Sequence, residues 1–571
     1  MHVSKCTAGV PPARGRPAGR EDEGGRDART LCAAMFVFAL ASDPDYKRAA
    51  DRGQDQKGTI MTLRGLILIA VLATGALAFA EEPKVVGWRG DGSGHYPDAT
   101  PPTVWYQKED GESKNILWKT KLPCYTWSTP LVAGDKIFTL SEPFDLICLD
   151  KNTGKLLWMR SFPPFMGVTD AEKAANPAFK EIEPLVAELE KANEAFVAQG
   201  WTAEGFKHRN ELVRKIDALS RKADRKYRLP PDFYVEGWTG YTAPTPCSDG
   251  NFVYVTGGDG ITACYGLDGN KKWSVYEALS DVWGEHGFAS SPLLVGDVLL
   301  APATTLRALH KATGAELYRL PFGSGYSMLA LRANGVDFAV AAGNYFRVKD
   351  GKVLVPRKGD MPGGMAVTEG NMVYYGAGHA SFVKWEAQGD SAIKLTPLIT
   401  EEYNRVSIPL EDSPKLKVDQ TITGMQTASP LYHDGLLYCL GNFGKLNVLD
   451  TLKTKKADAL VYGTFPPFDF RNPYSRKTHG VGIGASPALA GKYIYMLDSG
   501  NCTVVMEPGR AYKEIAKNSI AATVPEQIPN CSGAKNYWSG PHQEQTEASP
   551  IFDGSRIYIR GEQFLYCIGE K

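Results

Sequence analysis

The chain has 571 residues, with 64 Lys and Arg against 64 Asp and Glu, so its formal net charge is zero. That balance supplies no global basic field to attract nucleic acid or an anionic membrane. A 43% hydrophobic content suits a large globular core, and 59 glycines with 37 prolines point to many short strands joined by tight turns.

Residues 1–60 include Gly15-Arg-Pro-Ala-Gly-Arg-Glu-Asp-Glu-Gly-Gly-Arg26, a composition that cannot build a core. They read as a disordered extension or an upstream artefact, with translation expected to start at Met61. Met61-Thr-Leu-Arg64 is a short basic start, Gly65–Leu77 an apolar run, and Ala78-Phe-Ala80 a small-x-small cleavage pattern. Residues 61–80 are therefore expected to be a cleaved signal peptide, sending the chain to the periplasm or outside the cell. The run is short of the roughly 20 residues that comfortably span a bilayer, so the mature chain is expected to carry no transmembrane anchor.

A leader follows over 81–114. Its Arg89-Gly-Asp91 lies among glycines and is expected on a surface loop. Asn115–Leu122 is a strand with no partner nearby in sequence, followed by a phrase that returns to the end of the chain. A small residue and proline open each strong copy: Thr129-Pro130, Thr245-Pro246, Ser291-Pro292, Ser429-Pro430, Ser486-Pro487 and Ser549-Pro550. A Gly/Asp turn leads to an alternating second strand such as Ile137–Leu140 or Phe252–Val255. A third strand runs into a Thr-Gly turn (Thr153-Gly154, Thr313-Gly314), and a fourth ends near Trp158, Trp273 or Tyr318. Weaker copies lie near Tyr326 and Gly364.

Four antiparallel strands per copy make a propeller blade, and such a unit cannot bury its apolar face alone. Six clear and two weak copies predict an all-β, eight-bladed β-propeller, at about 54 residues per blade once the insertion below is set aside. The last copy stops at Phe564–Ile568 without a fourth strand, so 115–122 is expected to complete it and close the ring. Residues 115–169 thus form the closing strand and first blade, and 229–571 the remaining blades.

Residues 170–228 obey a helical period instead: Phe179, Ile182, Val186, Leu189, Asn193 and Phe196, then Leu212, Ile216, Leu219 and Ala223. Asn176-Pro177 reads as an N-cap with proline at N1, and Pro184 must start or kink the longer helix. The first half is acidic and the second basic, which favours an antiparallel hairpin turning near Gly200. It is either a strut on the propeller or a projecting docking arm.

Cys148, Cys264 and Cys567 share the third-strand slot that Ala308 and Val448 fill in other copies, so they are expected to be buried packing thiols. Cys502 and Cys531 are the disulfide candidate. No cysteine pair has metal-ligand spacing, and there is no Gly-x-Ser-x-Gly, His-Glu-x-x-His or Walker loop. Residues just ahead of each Ser-x-Pro should face one mouth of the channel. That row holds Trp127, Tyr241, His286, Tyr326, Met365, Gln426, His479 and Glu547, with Glu285 and Glu544 beside it, as a candidate ligand-binding set.

The Ser-x-Pro…Gly-Asp…Leu-x-x-Leu-Asp…Thr-Gly…Trp phrase resembles that of PQQ-like β-propeller repeat proteins over roughly 88–571. Trp88-Arg-Gly-Asp-Gly-Ser-Gly94, the Pro-Pro-Thr-x-Trp of 101–105 and Ile116-Leu-Trp-Lys-Thr120 resemble its exported branch. The resemblance implies either a pyrroloquinoline-quinone dehydrogenase with calcium or a non-enzymatic binding platform, like the family's outer-membrane assembly lipoprotein. The alcohol-oxidising relatives stack their quinone on a disulfide between adjacent cysteines, and some carry haem on Cys-x-x-Cys-His. Neither motif occurs here. The preferred expectation is a scaffold that binds a protein or small ligand without nucleic acid. A PQQ- and calcium-dependent dehydrogenase of alcohols or sugars is the alternative.

Overall fold

The computed structural model describes residues 86–570 apart from 109–110, 228–239, 279–288, 324–326, 358–366, 376–380, 400–404, 411–412, 422–427, 442–443, 454–458, 469–483, 521–522, 525–541 and 547. The first repeat shows how the phrase becomes a sheet. Leu131–Ala133, Lys136–Ser141, Asp145–Asp150 and Leu156–Ser161 form an antiparallel meander hydrogen-bonded in chain order.

Phe138, Cys148 and Trp158 stand opposite one another across its last three strands. The same register recurs as Tyr254–Cys264–Trp273, Leu300–Ala308–Tyr318, Tyr438–Val448–Tyr462 and Tyr558–Cys567–Trp118. A small third-strand residue lies between larger neighbours on both sides, which accounts for the Cys/Ala/Val slot. Cys148, Cys264 and Cys567 are buried thiols, as expected. In each of these copies the register shifts just after the slot, a bulge that sharpens strand twist.

Neighbouring sheets dock through the Thr-Gly…Trp part of the phrase. Gly154, Gly269, Gly314 and Gly351 lie beneath Trp118, Trp158, Trp273 and Tyr318 of the preceding copy, and a Cβ at any of them would fall 2.5–2.8 Å from that ring. The Trp158 indole donates to Leu267 O at 3.1 Å, the Trp273 indole to Lys311 O at 2.8 Å, and the Tyr318 hydroxyl to Val348 O at 2.6 Å. Near the axis the Ser-x-Pro residues form a second joint. Thr129 N–H donates to Thr245 Oγ1, Thr245 N–H to Ser291 Oγ, Ser429 N–H to Ser486 Oγ and Ser486 N–H to Ser549 Oγ, at 2.9–3.1 Å.

The inner strand Leu131–Ala133 packs against both Cys247–Ser248 and Ile551–Asp553, as expected of a propeller. Among the described residues seven sheets are four-stranded blades, which corrects the eight expected. The remaining repeat, Ala488–Ala490 through Glu514–Ile520, lies inside a seven-stranded sheet: His95–Tyr96 joins its inner edge, and Tyr106–Gln107 with Ser113–Lys114 joins its outer edge. The repeat arithmetic could not see that the leader adds strands to one copy. Closure follows expectation, with Ile116–Lys121 pairing antiparallel to Phe564–Ile568 as the fourth strand of the last sheet.

The insertion contains α1 (Asp170–Ala175), α2 (Glu183–Gln199) and α3 (Ala203–Ala223), the last two antiparallel and joined through Gly200 at φ 82°. Asn176-Pro177 caps a short 3-10 turn, Pro177–Glu181, and Pro184 sits in the first turn of α2. Phe179, Ile182, Leu189, Leu212, Val213 and Ile216 share one core with Leu140, Phe144 and Phe162 of the first sheet. Beneath them, buried Arg209 donates to Asp145 Oδ2 and Asn193 Oδ1, each at 2.8 Å, and Ser161 Oγ donates to Asp145 Oδ1. The hairpin is thus a strut. Its tip also covers the closure seam: Trp201 receives Lys121 Nζ at 3.6 Å from its ring centre, and Phe206 packs with Cys124.

Arg209→Ala would leave Asp145 buried without its counter-charge, at a cost of about 3–5 kcal/mol in urea unfolding. Gly314→Ala forces both a left-handed Cβ and a displaced Trp273, costing about 2–5 kcal/mol. If both variants unfold at the wild-type midpoint, these joints do not hold the ring.

Candidate functional site

The centre of the ring is occupied by its own leader. Val86 pairs with Ser248 on an inner strand, bonded in both directions at 2.8–2.9 Å. The chain then turns tightly between Gly87 and Gly90. Leu489 N–H donates to Gly94 O, Gly491 N–H to Tyr96 O, and Thr100 N–H to Gly554 O. His95 Nε2 lies 2.7 Å from Tyr432 O. Inner strands from widely separated repeats therefore share one central segment.

Arg89 anchors it. The side chain is 1% exposed, and its Nη1 and Nη2 donate to Pro430 O at 3.0 Å and Pro487 O at 2.7 Å. These carbonyls directly follow Ser429 and Ser486, so the anchor grips the serine joints. Burial lowers the Arg89 pKa to about 10, which still leaves a cation at neutral pH. Gly94 must be glycine, since a Cβ there would lie 2.3 Å from Arg89 Nη2. Arg89-Gly-Asp91 is therefore no surface loop, although Asp91 itself is exposed and accepts from Ser93. Two small cavities flank the segment, about 230 Å³ beside Leu131 and Phe552 and about 160 Å³ beside Leu293 and Met328. Beyond the centre, buried Trp105 stacks on Tyr495 before Tyr106–Gln107 pairs beside Ser519–Ile520.

One end of the ring carries the Ser-x-Pro starts and the links between second and third strands, and we call it the loop face. Of the candidate set, Trp127, Tyr241 and Glu544 are described. Glu285, His286, Tyr326, Met365, Gln426, His479 and Glu547 lie outside the described residues. Trp127 is half-buried, and Tyr241 is 1% exposed within the first core. Glu544 is buried and accepts from Gln563 N–H at 2.8 Å, Phe564 N–H at 2.7 Å and the Tyr566 hydroxyl. Tyr241 and Glu544 serve as joints rather than open channel groups.

Comparable residues were not legible in the repeat. Buried Glu142 accepts from Tyr241 N–H, Thr242 N–H and the Thr242 hydroxyl, clamping the start of the second repeat to the first. Buried Arg560 donates to the adjacent Gly561 O and, across the seam, to Cys124 O. Burial pushes the Glu142 and Glu544 pKa values up to about 7, and that of Asp259 to about 8 with help from nearby Glu142. Among the described residues no three His, Cys, Asp or Glu groups are placed to hold a metal ion, and no helix is long and apolar enough to cross a membrane. Cys502 is a buried thiol here, and Cys531, its expected disulfide partner, lies outside the described residues; the disulfide-bonded cysteine of the described residues is Cys124. The Cys502 side chain lies in the core beside Leu446 and Val504, on a strand too regular to mark it as a bridge.

Topology and site together define the chain as a β-propeller whose centre is filled by its own leader. No protein-family model and no curated protein matches the chain. Solved structures similar to it include BamB from Moraxella catarrhalis, at 10% identity over 80% of this chain and 97% of that one, with a TM-score of 0.44. A europium-containing methanol dehydrogenase is 10% identical over 86% and 98%, with a TM-score of 0.47. A quinohemoprotein alcohol dehydrogenase from Comamonas testosteroni is 9% identical over 80% and 76%, with a TM-score of 0.45.

Arg89→Ala removes two charge-assisted hydrogen bonds and strands two buried carbonyls, at about 2–5 kcal/mol. Limited proteolysis should then cut within 86–99 before the strands, and unchanged resistance would argue against the anchor. Glu544 gives a pH test. Its folded pKa exceeds the ordinary 4.5, so the native state holds the proton longer than the unfolded chain. Its contribution is full at acid pH and is lost as pH rises through about 7. Glu544→Gln should flatten the decline in unfolding free energy over that window, by on the order of 3 kcal/mol. An identical pH profile in wild type and variant would remove Glu544 from this role.

Proposed function

We propose that the protein is an exported PQQ-like β-propeller acting as a scaffold that binds a protein or a small ligand through its loop face. Export rests on the expected signal peptide at 61–80 and places the mature chain in the periplasm or outside the cell. The observation that carries the scaffold reading is the buried Arg89 anchor, which commits the ring's axis to structure and leaves the rim and faces for recognition.

A calcium–quinone pair would need carboxylates converging on the metal and donors converging on the quinone acids. The described residues do not fit it. Glu142 and Glu544 already accept three hydrogen bonds each, and no metal-competent trio is formed among the described groups.

Purified protein given pyrroloquinoline quinone and calcium should show neither a thermal shift nor dye-linked oxidation of alcohols or sugars. Oxidation that a chelator abolishes would replace the scaffold by the dehydrogenase.

A further inference from the structure

The chain is neutral overall, yet α3 concentrates positive charge on its outward side. Lys207, Arg214, Lys215, Arg221, Lys222 and, just past its end, Arg225 are all exposed. At 100° per residue Lys207, Arg214 and Arg221 fall within a narrow arc, with Lys215 and Lys222 along one border. From Lys207 to Lys222 the stripe runs about 22 Å. Of these cations, Arg221 pairs with Asp217 on the same helix. The opposite side of α3 is fixed by the Arg209–Asp145 pair and by Leu212, Val213 and Ile216, so the stripe is held rigid before any partner arrives.

We propose that this outer face of α3 is a docking ridge for an acidic segment of a partner protein, a single helix or strand lying along it. Charge complementarity selects an anionic partner, and geometry selects a narrow one. Exposed Glu183, Glu188 and Glu194 stand on neighbouring α2, and Glu204 and Glu211 on α3 itself. By the same spacing Glu211 falls between the Lys207–Arg214 and Lys215–Lys222 edges and Glu204 borders them; a broad anionic plane such as a lipid surface meets the α2 acids as well, whereas one acidic element lying along α3 meets only these two. None of the exposed large hydrophobic residues lies on α3, so the ridge offers nothing to insert into a bilayer. The inference rests on the scaffold reading but uses the outward side of α3, opposite the side packed on Phe144 and Asp145, and its test needs neither quinone nor loop-face ligand.

A fluorescent oligoglutamate peptide of about 20 residues, long enough for the ridge, is titrated into the full chain at low ionic strength and followed by anisotropy. Changing Lys207, Arg214, Lys215, Arg221 and Lys222 together to Gln should weaken binding about ten-fold or more. Changing Lys108, Lys349, Lys384, Lys394 and Lys513 to Gln, an equal charge removed elsewhere, should leave it within about two-fold. Absence of binding, or equal loss in both variants, overturns the proposal. So does stronger ridge-dependent capture by vesicles of phosphatidylglycerol and phosphatidylcholine in equal parts. If the five-fold variant fails to fold, the double substitution Arg214→Glu and Lys215→Glu gives the same comparison.

Discussion

A four-stranded sheet has two faces and can hide neither by itself, so every repeat here depends on a neighbour. The dependence is met by one contact used many times: an aromatic ring of one copy lies flat on a glycine of the next. Gly154, Gly269, Gly314 and Gly351 adopt φ near +70 to +82° with no room for a side chain, and the rings above the last three donate to the following turn. A repeat at either end of an open array would lack one such partner. That is why Ile116–Lys121 returns to the last sheet, where its Trp118 covers Gly154 of the first.

Closing the ring leaves an axis lined by inner strands with unpaired backbone edges, and those groups need partners too. The leader supplies them. It bonds to Ser248, Leu489, Gly491 and Gly554, while Arg89 satisfies two carbonyls that the Ser-x-Pro corners turn inward. The buried acids of the loop face act in the same manner, Glu142 and Glu544 gathering orphan N–H groups where one copy meets the next or turns on itself. Charge inside this protein is spent on joints. The helical strut continues the theme, locking onto the first sheet with Arg209 and lying over the seam with Trp201.

The joints whose chemistry repeats were legible in sequence, and those used once were not. Thr-Gly…Trp, Ser-x-Pro and the small third-strand slot each recur, so their spacing revealed strands, closure and buried thiols. The leader occurs once. Arg89 in a glycine-rich stretch has the local composition of a surface turn, and only the inner strands it meets, more than 300 residues away, make it a core residue. The tally of four-stranded sheets failed for the same reason, because Tyr106–Gln107 adds itself to Ser519–Ile520 through a contact that leaves no periodic trace. Tyr241 and Glu544 were found by position in the repeat but misread in role. The row ahead of Ser-x-Pro marks where copies join as well as where a channel opens. Cys502 was set apart from the other thiols although Tyr495, Val505 and their neighbours give its strand the ordinary register.

The central claim is that residues 86–99 are built into the ring's axis. Hydrogen–deuterium exchange on the intact protein tests it most directly. The account predicts that amides of Gly87, Gly90, Gly94 and Ala99 exchange as slowly as those of the neighbouring inner strands, and become labile only when the whole ring opens. Exchange of these four within seconds, while the strands stay protected, would show a segment merely resting near an open channel and would contradict it.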